Sequence, residues 1–239
     1  TPLSGYEATD EYKDVEDYSI YVKFPLEGNK DEYIIIWTTT PWTIPANVAI
    51  AVNPKYEYVR VKVANEVWIV AKELLEKLMT LFGIQDYEIL ETVTGQILLG
   101  LKYRHIMEDD LPIHTQFKEP NAHTIILTNY VTLEDGTGCV HTAPGHGPED
   151  YSAGVEYKLP ILSPVDQTGK FTDEAGKYKN IYIKDANDLI VDDIEDKGFL
   201  LLRDSVFHRY AHCWRCKSPL LYRASDQWFI KVEAIKDQI

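Results

Sequence analysis

Short apolar runs, each cut off by turn-forming residues, constrain this chain more than any other feature. Ile20, Val22 and Phe24 alternate within residues 18–26, and residues 32–38 are almost continuously apolar, as in a strand buried on both faces. Runs at 48–52, 56–63 and 67–71 follow, separated by Asn53-Pro54 and Ala64-Asn65, and read as a meander of short strands. Further strands are expected at 87–92, 96–101, 112–116, 123–127, 138–142 and 199–207. Three stretches change to a helical period. Leu74, Leu75, Leu78, Met79 and Phe82 make a stripe over 71–82, closed by Gly83. Gly147-Pro148 opens a second helix, with Tyr151, Val155 and Leu159 on one side. Asp185 caps a third that runs to Lys197, with Ala186, Leu189, Ile190 and Ile194 inward and Gly198 ending it. The pattern predicts an α+β fold rich in strands. Residues 1–17 are polar and acidic without a sustained period, and read as an arm.

A chain of 239 residues with 45% hydrophobic and 12% aromatic content can bury a substantial core. Its net charge of −14 argues against broad nonspecific nucleic-acid binding, which needs clustered Lys and Arg. From Arg203 to Lys231, however, six basic residues face two acidic ones, which leaves room for a local anionic partner. No apolar run approaches the roughly 18 to 20 residues that span a bilayer, and no basic-then-apolar leader opens the chain. Three cysteines, Cys139, Cys213 and Cys216, give no disulfide framework. Together these predict a cytoplasmic protein with no membrane partner.

Two runs concentrate hydroxyls, glycines and prolines at strand ends, where a scaffold can present donors to a ligand. One is Trp37-Thr38-Thr39-Thr40-Pro41-Trp42-Thr43, continuing to Asn47; the other is Gly136 to Tyr151, containing His141 and Asp150. They are expected to face each other. Asp150 would lie in the first turn of a helix, where the dipole and free backbone donors favour an ionised carboxylate. Such a site can anchor an ammonium group on Asp150, hold a carbonyl and a water with threonine hydroxyls, and limit size with His141. An aminoacyl ester is one substrate that matches. A Cys139–His141 nucleophile is disfavoured, because residues two apart on a strand do not thereby form a dyad. Cys213-Trp214-Arg215-Cys216 has the spacing of half a zinc site, with His208 and His212 just before it. His105, His114 and His123 show no ligand spacing and read as surface or turn residues. Neither a phosphate-cradling glycine loop nor a Gly-x-Ser-x-Gly elbow occurs.

The residues from Trp37 to Asn47, Gly136 to Tyr151, His212 to Cys216 and Gln227 to Phe229 closely resemble the editing insertion of the isoleucyl-tRNA synthetases. The related valyl and leucyl enzymes typically carry arginine, proline and an acidic residue where Thr40, Pro41 and Trp42 stand. The resemblance implies a β-barrel-like domain that hydrolyses valine wrongly attached to isoleucine tRNA and spares the isoleucyl ester. A second site of this kind is needed because one methylene discriminates by only about 1 to 3 kcal/mol, a value known from this enzyme class. It implies that Thr38, Thr39, Thr40, Thr43 and Asn47 line the cleft around the terminal adenosine and ester. Asp150 would hold the α-amino group and His141 obstruct isoleucine, with Thr39, Thr40, His141 and Asp150 nearest the chemistry. The implied partners are the 3′ aminoacyl end of the tRNA and the remainder of a synthetase. Residues 1–17 and 208–239 would then be the outgoing and returning connections, around an editing domain at 18–207. Editing implies no cofactor, and zinc at Cys213 and Cys216 would need ligands from nearby histidines or from outside the chain. No His-Ile-Gly-His or Lys-Met-Ser-Lys-Ser signature is present, so no aminoacylation site is expected. The competing class is a non-catalytic module that binds the acceptor end of tRNA through its basic stretch.

Overall fold

Strand β2 (Glu32–Thr38), the run marked as buried on both faces, lies inside the larger sheet with Ile34, Ile35 and Ile36 fully buried. The computed structural model describes residues 3, 7, 11–228, 230, 232–234 and 236. On one side β2 pairs antiparallel with β1 (Tyr12–Pro25), and on the other parallel with β5 (Glu66–Ala71). The strands β3 (Ala49–Val52), β4 (Glu57–Val63), β6 (Glu88–Thr94), β7 (Thr124–Leu127), β8 (Cys139–Thr142) and β9 (Leu200–Ala211) complete the set. They form a six-stranded sheet, ordered β6-β4-β5-β2-β1-β9, and a three-stranded sheet, ordered β7-β3-β8. The helices are α1 (Leu75–Leu81), α2 (Gly95–Leu98), α3 (Pro148–Tyr157) and α4 (Ala186–Asp196). This is the expected α+β, barrel-like arrangement, although the two sheets do not close into one barrel.

The main core gathers Ile20, Val22, Phe24, Ile34, Ile36, Tyr58 and Ile69 with the α1 residues Leu75, Leu78 and Met79. A second cluster of small side chains, including Ala46, Ala49, Ala51, Ala143 and Ala153, lies where α3 meets the smaller sheet. Small residues are required there: a Cβ on Gly154 would stand 2.8 Å from the Pro144 ring. Ala153 and Gly154 therefore face inward, whereas Tyr151 and Val155 are exposed.

Several expectations are corrected. Residues 96–101 hold the turn of helix α2 in place of a strand. Gly95 starts it where a Cβ would stand 2.1 Å from the Asn53 carbonyl oxygen. Residues 112–116 form the 3-10 turn Pro112–Thr115, because a proline without an N–H suits a first helical turn and the apolar run is too short to fix a period. Residues 12–17 belong to β1, paired with β9 from Tyr12↔Ala211 to Asp17↔Val206. Much of that extension is exposed, which explains its polar composition. In α4, Leu189 is exposed and Asn187 is buried in its place. The rest of the arm at 1–2, 4–6 and 8–10, and residues 229, 231, 235 and 237–239 of the amphipathic tail, lie outside the described residues.

The loop leading into β8 is fixed by two glycines in the left-handed region, Gly136 (φ 78°) and Gly138 (φ 74°). A Cβ on Gly138 would meet the Ala71 Cβ at 2.4 Å. Gly138→Ala should therefore lower the unfolding free energy by about 1–3 kcal/mol in urea denaturation, and adding Ala71→Gly should restore only the steric part. Unchanged stability of the single variant would contradict the packing described here.

Candidate functional site

The first run leaves β2 at Thr38, whose Oγ1 accepts the Thr40 N–H at 3.1 Å and turns the chain. The 3-10 turn Pro41–Ala46 follows, entirely buried, with proline in its first turn. α4 secures its start, since Asn187 Oδ1 accepts the Trp42 N–H at 3.0 Å. Its exit is closed by the Asn47 N–H on the Ile44 carbonyl at 2.9 Å.

β8 brings the second run against this turn. His141 is opposite Ile50 in the β3–β8 register, and its ring reaches into the threonine run. The His141 tautomer follows from its neighbours. Asn47 Nδ2 donates to the Ala49 carbonyl at 3.0 Å and faces His141 Nδ1 at 3.5 Å, so Nδ1 carries the lone pair. Nε2–H then donates to Thr43 Oγ1 at 3.0 Å, and Thr43 passes its own proton to the Thr40 carbonyl at 2.7 Å. Thr43, Thr40 and Thr38 continue the chain at 3.3 and 3.2 Å. Burial pushes the His141 imidazole down to about 4, so the ring is neutral at physiological pH. Both ring nitrogens of His141 are thus engaged within the fold. Thr39 is half-buried, and its hydroxyl has no hydrogen-bond partner among the described residues.

Asp150 sits in the first turn of α3 but does not cap it. Its Oδ2 accepts the Ala143 N–H at 3.0 Å, which ties the carboxylate to the end of β8, two residues past His141. Burial raises its pKa and outweighs the Ala143 N–H that favours the anion, contrary to the expectation of a stabilised anion. Asp150 is half-buried and forms no ion pair with a cation among the described residues. The Thr142 and Tyr130 hydroxyls are buried near it without closed hydrogen bonds. Burial, then the charge of Asp150, pushes Tyr130 up to about 12.

The two runs thus meet through Thr43, Asn47 and His141, with Trp42 edge-on to His146 at 4.9 Å. His146 was not singled out by sequence; its Nδ1–H donates to the Tyr222 carbonyl at 3.0 Å, and Nε2 is buried without a partner. A cavity of about 280 Å³, lined by Trp37, Tyr130, Thr132, Gly136, Thr137 and Val140, adjoins the beginning of the second run and does not include His141. Cys139 is fully buried and its thiol is raised by burial, which suits an inert core residue.

Cys213 and Cys216 lie on a turn in which Lys217 takes a left-handed conformation (φ 63°) and its N–H donates to the Cys213 carbonyl at 2.8 Å. Hydrogen bonding with Ser218 brings the exposed Cys216 thiol down to about 7. The pair fits half of a tetrahedral zinc site. The nearby histidines do not complete it: His208 Nε2 faces Asp17 at 3.1 Å and His212 Nδ1 faces the Tyr210 carbonyl at 2.8 Å. Among the described residues no group of three or more His, Cys, Asp or Glu side chains is placed to hold a metal ion. The basic stretch is largely paired within the fold. Arg203 binds Asp192 and Glu195, Lys217 binds Glu11, Arg215 lies over Trp214, and Arg223 Nε donates to the Val165 carbonyl. Lys231 lies outside the described residues. No helix among the described residues is long and apolar enough to cross a membrane.

This fold is shared with a known class of domain. The crystal structure of GlLeuRS-CP1 superposes with a TM-score of 0.59 at 14% identity, covering 79% of this chain and 99% of that one. The chain therefore has the CP1 fold. Its sequence narrows the family: it is 50% identical over its whole length to isoleucine–tRNA ligase of Thermococcus kodakarensis, and 53% identical over 95% of its length to that of Fervidobacterium nodosum. The chain belongs to the isoleucine–tRNA ligases and spans 23% of the length of these two relatives. No family model matches it.

His105, His114, His123, His141 and His146 all have pKa values lowered by burial. The unfolded chain therefore binds their protons first as pH falls below about 6.5. Stability from this source is complete above that pH and drains away toward pH 4, by up to roughly 1.4 kcal/mol per pH unit for each histidine. The raised carboxyls of Asp150 and Glu108 act in the opposite sense, as two groups against five. Urea denaturation at pH 7, 6 and 5 should show the decline, and a flat profile would contradict the neutral buried state of these rings.

Proposed function

We propose that this chain hydrolyses the ester of valine wrongly attached to isoleucine tRNA and spares the isoleucyl ester, acting as the editing part of a longer synthetase. The observation that carries the reading is a hydroxyl-lined turn hydrogen-bonded to a neutral histidine on β8, with a half-buried carboxylate tied to the end of the same strand and not ion-paired among the described residues. The CP1 fold and the likeness to isoleucine–tRNA ligases support it.

Asp150 takes the α-ammonium group of the ester, which supplies the missing positive charge. Thr38, Thr39 and Thr40 border the ester and the terminal adenosine, with the unpartnered Thr39 hydroxyl free to meet the substrate. Thr43 and Asn47 hold His141, whose ring leaves room for valine and obstructs the additional methylene of isoleucine. Hydrolysis is attack of water on the ester carbonyl, with the developing oxyanion held by hydroxyl or backbone donors. The neutral, doubly hydrogen-bonded state of His141 favours a size filter over a general base. The reaction calls for no cofactor. The 3′ end of the tRNA and the remainder of the synthetase are the partners, in the cytoplasm, and zinc on Cys213 and Cys216 would take its other ligands from that remainder. Residues 18–207 form the editing domain, with 1–17 and 208–239 as its connections. The pairing of Arg203, Lys217 and Arg223 within the fold weighs against a purely RNA-binding module.

Valyl-tRNA mixed with this chain, alone and within the full-length ligase, should release valine; binding without turnover would overturn the hydrolase reading. Asp150→Ala should lower deacylation at least about a hundredfold, the scale of removing a charged anchor of roughly 3 kcal/mol, and full activity would remove its anchoring role. His141→Ala should admit isoleucyl-tRNA, and an untouched cognate ester would show that the ring is not the gate.

A further inference from the structure

Of the three histidines expected at the surface or in turns, His123 is a half-buried turn residue (φ 55°), whereas His105 and His114 are buried, contrary to a surface placement. His105 and His114 are 2% and 5% exposed. Their rings stack face to face, 3.6 Å between centroids and 9° between planes. His123 joins them through a 3.1 Å contact between its Nε2 and His114 Nδ1. Phe24, Tyr103 and Phe117 close the edges.

Each tautomer is determined. The Ile44 carbonyl can only accept, so His105 donates Nε2–H to it at 3.0 Å while its Nδ1 receives the Met107 N–H at 3.2 Å. The Pro45 carbonyl likewise fixes the proton on His114 Nε2, at 3.0 Å, and leaves Nδ1 to accept from His123. Burial keeps all three rings neutral, holding His114 down to about 3 and His123 to about 4. An apolar trio would fill this volume without desolvating three imidazoles, so the donors themselves need a reason. The carbonyls they reach end the Pro41–Ala46 turn. The Ile44 oxygen is shared between His105 and the N–H of Asn47. Asn47 in turn receives the Tyr103 hydroxyl on Oδ1 at 2.5 Å and presents Nδ2 to His141.

We propose that His105, His114 and His123 are positioning residues of the Thr43–His141–Asn47 site, holding the turn by its Ile44 and Pro45 carbonyls and so fixing the ring orientation on which size discrimination depends. The proposal rests on the hydrolase reading for its consequence in activity, and on geometry alone for its structural claim.

The test uses the full-length ligase. His114→Leu removes the donor to Pro45 and strands His123. It should lower the ratio of valyl-tRNA to isoleucyl-tRNA hydrolysis by roughly tenfold or more, the cost of a small misplacement. His114→Gln, which can still donate to Pro45 and accept from His123, should recover most of that ratio. His123→Phe removes only the outer ring and should give a smaller loss in the same direction, which keeps the test open if His114→Leu does not fold. A ligase that hydrolyses valyl-tRNA with the same ratio in all these variants overturns the positioning role. Absence of valyl-tRNA hydrolysis in the unsubstituted ligase refutes the hydrolase reading instead. Crystal structures of the variants decide the geometric claim in either case: displacement of the His141–Thr43 contact supports it, and retention at 3.0 Å in His114→Leu or His123→Phe overturns it.

Discussion

The hydrogen bonds from Asn47 through the His141 ring to Thr43 join the two halves of the site, and the neighbouring structure converges on them. β3 runs directly from the Pro41–Ala46 turn and pairs with β8, so the register that places Ile50 opposite His141 also sets where the ring meets the turn. A shift of one residue in that register would turn His141 to the other face of the sheet. The left-handed glycines before β8 hold the register by letting their loop lie against Trp37 and Ala71.

This junction is expensive in physical terms. Thr38, Thr43, Asn47, His141 and Thr142 are buried, where polar groups cost free energy unless paired. Most are paired, each donor finding an acceptor in an order that fixes the tautomer of the histidine. The exceptions cluster near Asp150, whose carboxyl is raised by burial and whose neighbours Thr142 and Tyr130 have no closed hydrogen bond. Satisfied groups therefore make up the junction around His141, and incompletely satisfied groups lie beside Asp150. On the proposed reading these two conditions correspond to the two tasks of the site, selecting by volume and anchoring by charge.

Strands with many apolar residues were legible because burial on both faces leaves a continuous pattern, as in Glu32–Thr38, whose bounds match the expectation. The stretches 96–101 and 112–116 were not, because short apolar runs have no resolvable period, and one glycine at 95 and one proline at 112 decided their helical form. Exposed polar residues at 12–17 concealed a strand held by a single partner. In the site, the threonine run, His141 and Asp150 were visible as residue types at strand and helix ends. Tyr103, His105, His114 and Asn187 were invisible because they reach the turn from 56 to 145 residues away in sequence, through contacts that no local spacing encodes.

On the proposed reading, a charge anchor at Asp150 and a neutral histidine wall at His141 act on the same ligand. A crystal structure with a non-hydrolysable amide analogue of 3′-valyl adenosine tests it most directly. The account predicts the valine ammonium within hydrogen-bonding distance of Asp150, the side chain against His141, and the His141–Thr43 contact intact. An analogue bound with its ammonium away from Asp150, or with its side chain remote from His141, would contradict it.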